Sequence, residues 1–305
     1  MAIVRTDIPM TYELCEQTIL QLVAKYAFLR TEVLTETAQG RNLRTLAIGN
    51  GPRKVIYSAA WHANEWITTP ILLKFVEEFA EALMNGSEIF GINAGDLAAK
   101  VTIYTVPMVN PDGVDLVTGA IAPAQKAYEN AKEIAASFPS IPFPDGWKAN
   151  LNGVDLNLQF PAGWLRAREI KFMQGFNRPA PRDYVGRAPL SQREAKAMAG
   201  YTEYIDPELV LTYHSQGKEI YWSFMDYEVP GARELGERMA KASGYRLAEP
   251  APSSSYAGYK DWFIKDFRRP GYTVEVGTGT NPLPLSQFEE IYRDNLGILV
   301  TAALG

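Results

Sequence analysis

Two spacings of apolar residues alternate along the chain. Cys15, Ile19, Leu22, Val23 and Tyr26 recur at i, i+4, i+7, i+8 and i+11, which predicts an amphipathic helix over residues 12–29 with Cys15 on its buried face. Glu32 to Thr37 and Asn42 to Ile48, joined near Gln39-Gly40, read as a hairpin. A third strand, Lys54 to Ala60, follows the Asn50-Gly51 turn. Thr69-Pro70 then opens a helix with Leu72, Phe75, Val76, Phe79 and Leu83 on one face. Val101 to Val106 is an apolar strand running into Asn110-Pro111-Asp112-Gly113, a turn sequence. Residues 122–136 read as an exposed helix, and Ser137 to Gly153, rich in Pro, Gly and Asn, as a functional loop. An irregular, arginine-rich segment reaches about Arg187, after which Ser191 and Glu194 form a capping box for a helix to about Tyr204. Strands are expected at Leu209 to Tyr213, Ile220 to Trp222 and Tyr272 to Val276. Helices are expected over 231–243 and, capped by Ser286 and Glu289, nearly to the C-terminus.

Strands that alternate with helices predict a three-layer α/β/α fold around a mixed, mostly parallel sheet. With no internal repeat, linker or low-complexity tract, residues 1–305 read as a single catalytic domain. A composition of 47% hydrophobic and 21% charged residues is that of a soluble enzyme with a full-sized core. The formal charge of -5 offers no basic surface to a phosphate backbone, so nucleic acid is excluded as a partner. The single cysteine allows no internal disulfide. No apolar run approaches the roughly 20 residues that span a bilayer, and the first residues lack the apolar run of a secretory signal. The expected location is therefore cytoplasmic, or the cell wall if an export signal has been removed. Nothing in the sequence sets an oligomeric state.

The chemistry concentrates at the ends of the expected strands. The chain has two histidines, His62 and His214, and each follows an apolar strand. Glu65 lies three residues from His62 and faces the same side of a tight turn. Two imidazoles and a carboxylate can hold one zinc ion with a coordination position left open. Another carboxylate, Glu275, sits inside the apolar strand Tyr272 to Val276, where a charge without a task would be costly. Its alternative is a buried ion pair with Arg268 or Arg269. In an open α/β sheet, sites form at the carboxyl ends of the strands, where His62, His214 and Glu275 fall.

The order of His62-Ala63-Asn64-Glu65-Trp66, Asn110-Pro111-Asp112-Gly113, Gly153-Val154-Asp155-Leu156-Asn157, His214-Ser215 and Thr273-Val274-Glu275-Val276 resembles the zinc carboxypeptidase family over nearly the whole chain. The resemblance implies that His62, Glu65 and His214 bind zinc, and that Asp155 orients the first histidine. It also implies that Glu275 is the general base and that Lys148 stands in for an arginine supporting the developing oxyanion. The segment from Gly153 to Trp164, together with Tyr184-Val185-Gly186, Gly258-Tyr259-Lys260-Asp261-Trp262 and Asn281-Pro282-Leu283-Pro284, is similar to one branch of that family. Members of that branch are γ-D-glutamyl-meso-diaminopimelate (γ-D-glutamyl-L-diamino acid) endopeptidases. By that likeness the substrate is a peptidoglycan stem peptide or muropeptide. Asn157, Gln159, Arg182, Tyr256 and Lys260 are then the implied substrate contacts, with Tyr259 competing for the covering role of Tyr256. Lys260 meets either the carboxylate of the residue after the cut or only solvent.

The family's pattern is broken in two further places. Asn64 stands where members carry an arginine before the zinc glutamate, and Asn157-Leu158 stands where an Asn-Arg pair clamps the substrate's terminal carboxylate. Leucine cannot pair with a carboxylate. An endopeptidase is therefore favoured over a conventional zinc carboxypeptidase whose clamp has moved to Arg166, Arg168, Arg182 or Arg187. A zinc-retaining binding protein is the third reading, and Glu275 speaks against it.

Overall fold

The computed structural model describes residues 2–251 and 255–305. Its elements, in order, begin with α1 (Tyr12–Lys25), β1 (Val33–Glu36), β2 (Asn42–Arg44), β3 (Leu46–Ile48), β4 (Arg53–Ser58) and α2 (Thr68–Asn85). Next come β5 (Glu88–Ile89), β6 (Ile92–Asn93), α3 (Ala94–Lys100), β7 (Val101–Val106), α4 (Pro111–Val117), α5 (Lys126–Ala136), α6 (Trp164–Met173) and α7 (Arg193–Ile205). The chain closes with β8 (Leu209–Ser215), β9 (Glu219–Tyr221), α8 (Ala232–Ser243), β10 (Arg246–Ala248), α9 (Tyr259–Phe267), β11 (Gly271–Val276) and α10 (Phe288–Leu304).

Seven strands form the central sheet in the order β10-β9-β11-β8-β4-β7-β3. The pairs β11-β8, β8-β4, β4-β7 and β10-β9 are parallel, whereas β9-β11 and β3-β7 are antiparallel. The sheet is thus mixed and mostly parallel, as the alternation of elements predicts. Side chains of a strand alternate between its faces. Val55, Tyr57, Leu211, Tyr213, Tyr272, Val274 and Val276 enter one core beneath α1, α2 and α10. Ile56, Val106 and Val210 enter a second core with Met198 of α7 and Phe263 of α9. This period of two decides where the charged residues of β8 and β11 point. Thr212 bonds Thr273 Oγ1 at 3.0 Å, and in register beyond it His214 stands beside Glu275. Both therefore leave the sheet on the face opposite Tyr213 and Val274. The apolar appearance of Tyr272 to Val276 belongs to one face only.

Several local expectations are corrected. α1 stops at Lys25, because Tyr26 turns extended and buries its ring, 1% exposed, while its N–H still bonds the Leu22 carbonyl. Asn110 to Gly113 is the start of α4, with the Asn110 side chain accepting from the Gly113 N–H. The irregular segment contains α6. Ser191 and Glu194 make no capping box: Gln192 precedes α7, the Ser191 hydroxyl donates to Gln159 Oε1 (2.9 Å), and Glu194 is buried toward Asn150. Nor does Ser286 cap α10, since it lies within a short 3₁₀ turn, Leu285–Gln287. Cys15 is a buried free thiol, as expected.

Candidate metal centre and cleft

Beyond β4 the chain bends sharply. Ala60 takes a left-handed conformation (φ 47°), and its N–H is held by Thr68 Oγ1 at 2.9 Å. Non-glycine residues rarely adopt this backbone region, and such strain gathers at functional sites. His62 then leads a single 3₁₀ turn, Ala63–Glu65. In 3₁₀ geometry, positions i and i+3 eclipse, which brings His62 and Glu65 to one side.

Three donors meet there. His62 Nδ1 lies 2.9 Å from Glu65 Oε1, His214 Nδ1 lies 3.0 Å from Glu65 Oε2, and the two Nδ1 atoms are 3.3 Å apart. Asp155 Oδ1 stands 3.2 Å from the far nitrogen of His62, Nε2. A carboxylate there accepts the Nε2 proton and leaves the Nδ1 lone pair facing the other donors. Two ring nitrogens and a carboxylate this close share a cation, either a proton or a metal ion, and the donor set is that of a catalytic zinc site with an open position. The residues fit the ion.

The electrostatics agree. Burial works against a charge on Glu65, but His62 and Lys148 outweigh it and hold the carboxyl well below its usual range. Burial likewise opposes a charged His62, while Glu65 and Asp155 bring it up to about 9. His214 is lowered, chiefly by burial. Lys148 Nζ donates to Glu65 Oε1 at 2.7 Å, so its ammonium is tied to a ligand candidate as well as bordering the cleft. Glu275 is pushed up to about 8, first by burial and then by the charge of Glu65. Arg268 stacks on Tyr227 and Arg269 pairs with Asp206, so neither arginine is the partner of Glu275.

The long loop is pinned to this turn. Asn110 Nδ2 lies within reach of the carbonyls of Trp61 (3.3 Å), Lys148 (3.2 Å) and Ala149 (3.0 Å). Gly113 must be glycine, because a Cβ would stand 2.6 Å from the Ala149 carbonyl oxygen and 2.8 Å from Ala63 Cβ. Asp155 heads another short turn, Leu156–Leu158, and its Oδ2 accepts the N–H of Asp183 at 3.2 Å.

Two cavities flank Glu275. One, of about 260 Å³, is bordered by Asn157, Leu158, Tyr256, Lys260 and Asp183. The other, of about 870 Å³, is bordered by Asn64, Asp145, Ser215 and Asn281. Lys148, Arg182, Tyr221 and Glu275 border both.

Of the implied substrate contacts, Asn157, Arg182, Tyr256 and Lys260 reach the cleft and Gln159 does not. Gln159 is fully buried: its amide donates to the Val185 carbonyl, while its Oε1 accepts from Ser191 and Gln192. Every polar atom is engaged inside the protein, which makes it a structural residue. Tyr259 also drops out, buried with its hydroxyl 2.7 Å from Thr202 Oγ1. Lys260 is not a solvated surface lysine; it is 5% exposed, donates to the Ser223 carbonyl (2.6 Å) and lies 2.6 Å from Asp261 Oδ1. Asn64 donates to the Asp145 carbonyl at 2.9 Å and brings no charge. Leu158 packs beside Trp164 and Val185. Arg166 pairs with Glu169 at the surface and Arg168 lies over Phe172. Among the arginines considered for a clamp, Arg182 alone borders the cleft. Asp183 and Tyr221 also border the cleft, and no motif in the sequence marks them; Asp183 takes a left-handed backbone (φ 65°).

The zinc carboxypeptidase family profile matches residues 15–297. The chain is 46% identical over 289 residues to "Gamma-D-glutamyl-L-diamino acid endopeptidase 1" of Lysinibacillus sphaericus, covering 95% of this chain and 71% of that protein. Its fold matches the crystal structure of thrombin activatable fibrinolysis inhibitor (TM-score 0.78, 16% identity, 99% of this chain and 76% of the other). It also matches murein-tripeptide amidase MpaA of Escherichia coli O157 (TM-score 0.55, 20% identity, 89% and 91%). None of the described helices is long and apolar enough to cross a membrane.

Proposed function

From the premise that this chain belongs to the zinc carboxypeptidase family and is a zinc metallopeptidase, we propose that it hydrolyses the amide between the γ-carbonyl of D-glutamate and a diamino acid in peptidoglycan stem peptides. The observation that carries this reading is Leu158. It occupies the position of the terminal-carboxylate clamp and packs against Trp164 and Val185, which fits an enzyme that does not anchor a C-terminus there.

His62, Glu65 and His214 hold the ion, with Asp155 keeping the His62 proton on Nε2. Zinc, when bound, polarises the carbonyl and makes hydroxide available at neutral pH. Glu275 accepts the proton of the attacking water and delivers it to the departing amine, which must leave protonated. A half-buried carboxyl in the cleft wall suits that exchange, because partial desolvation raises its affinity for the transferred proton. Lys148 steadies Glu65 and adds positive charge beside the carbonyl. Asn157 and Tyr256 border the smaller cavity, which receives the diamino acid, while the larger one takes the acyl portion.

The test is incubation of zinc-loaded protein with L-Ala-γ-D-Glu-meso-diaminopimelate, followed by mass spectrometry. Release of diaminopimelate, largely retained when its α-carboxyl is amidated, is expected. No release refutes the reading, and abolition by amidation returns the enzyme to the conventional carboxypeptidases.

A further inference from the structure

Arg182 stands where the two cavities join. Its Nε donates to Asp183 Oδ2 at 2.6 Å. Asp183 is fixed in turn by Lys171 Nζ at 2.6 Å and, through its own N–H, by Asp155 Oδ2 at 3.2 Å. The guanidinium is thereby mounted on Asp183, whose backbone is anchored to the carboxylate that orients His62.

The other cations of the cleft are committed. Lys148 is on Glu65, Lys171 on Asp183, and Lys260 on the Ser223 carbonyl beside Asp261. Arg182 bonds Asp183 through Nε only, and no other carboxylate among the described residues pairs with it. Its two Nη groups stay available, a fork that matches a carboxylate. Asp183 borders the smaller cavity and not the larger. Arg182 itself borders the larger, acyl-side cavity as well as the smaller one.

A γ-glutamyl amide leaves its α-carboxylate free, a short aliphatic stem from the reacting carbonyl. An ordinary α-linked peptide carries no charge at that place. Resting on the endopeptidase reading above, we infer that Arg182 binds the free α-carboxylate of the γ-linked glutamyl residue and so selects the γ-amide.

The experiment compares wild type with Arg182→Gln and Arg182→Lys on three substrates: the parent tripeptide, its glutamyl α-carboxamide, and the form amidated at the diamino acid α-carboxyl. Wild type should lose about 10- to 100-fold in kcat/KM on the glutamyl carboxamide, the size of a charge-assisted hydrogen bond pair. Arg182→Gln should lose a similar factor on the parent and nothing further on that carboxamide, with Arg182→Lys recovering part of the loss and zinc content unchanged. An equal loss on both glutamyl forms overturns the inference, as does a loss tied to amidation of the diamino acid. If wild type cleaves none of the three, the endopeptidase reading itself fails and the inference falls with it.

Discussion

Glu275 combines two properties that apolar strands rarely carry together. It is a carboxyl on a strand whose neighbours Val274 and Val276 are core residues, and it faces a cleft. Glu275→Gln keeps the volume and removes the proton acceptor, so kcat should fall by about 10²- to 10⁴-fold while bound zinc, measured by elemental analysis, stays stoichiometric. The sign of its pH effect follows from its shift. In the chelated protein the folded-state value of about 8 exceeds the ordinary 4.5, so the folded state binds the proton more tightly than the unfolded chain. Stability from this group is complete below pH 4.5 and is lost as pH rises toward about 8. Chelated Glu275→Gln should therefore show a shallower decline of Tm between those pH values than chelated wild type. An identical slope would place Glu275 in solvent. A divalent cation nearby favours the ionised form and brings the value down.

Among the elements, the short turns do more positioning than the long helices. The 3₁₀ turn at Ala63–Glu65 sets two ligand candidates, and the start of α4 locks it to the loop through Asn110. Asn110→Ala would leave the Trp61 carbonyl without its donor, take one of two donors from the Lys148 and Ala149 carbonyls and remove the α4 cap, costing about 2–3 kcal/mol. The expected result in thermal melts is a lower Tm together with reduced activity. An unchanged Tm would show that the loop is held by other means. From the sequence, the motif Asn110 to Gly113 reads as a turn because its residues favour both turns and helix starts. The contacts that distinguish the two, to residues 38 and 39 positions away, are not local. Ser191 fails as a cap for the same reason, being drawn away by Gln159.

Across the whole molecule, a metal ion held by His62, Glu65 and His214 would tie the turn after β4 to β8, yet the cores on either side of the sheet contain none of these three residues. Removal of zinc should therefore lower Tm without loss of secondary structure. Stabilisation by a bound ion follows RT ln(1 + [L]/Kd), about 4 kcal/mol at a thousandfold excess over Kd. Differential scanning calorimetry of zinc-saturated and chelated protein checks this. His62→Ala should show no shift between the two conditions.

The sequence by itself determined the sheet-and-helix alternation, the three metal-ligand candidates and the carboxylate Glu275 in an apolar strand. These depend on residue type and local spacing, which the chain carries wherever it folds; the reading of Leu158 in place of a carboxylate clamp came from the family resemblance. Only the tertiary structure decided that Gln159 is internal, that Lys260 is buried beside Asp261, and that Arg182 keeps a free edge between two cavities. Those outcomes turn on which distant atom reaches a polar group first, and a buried group takes whatever partner the packing leaves it.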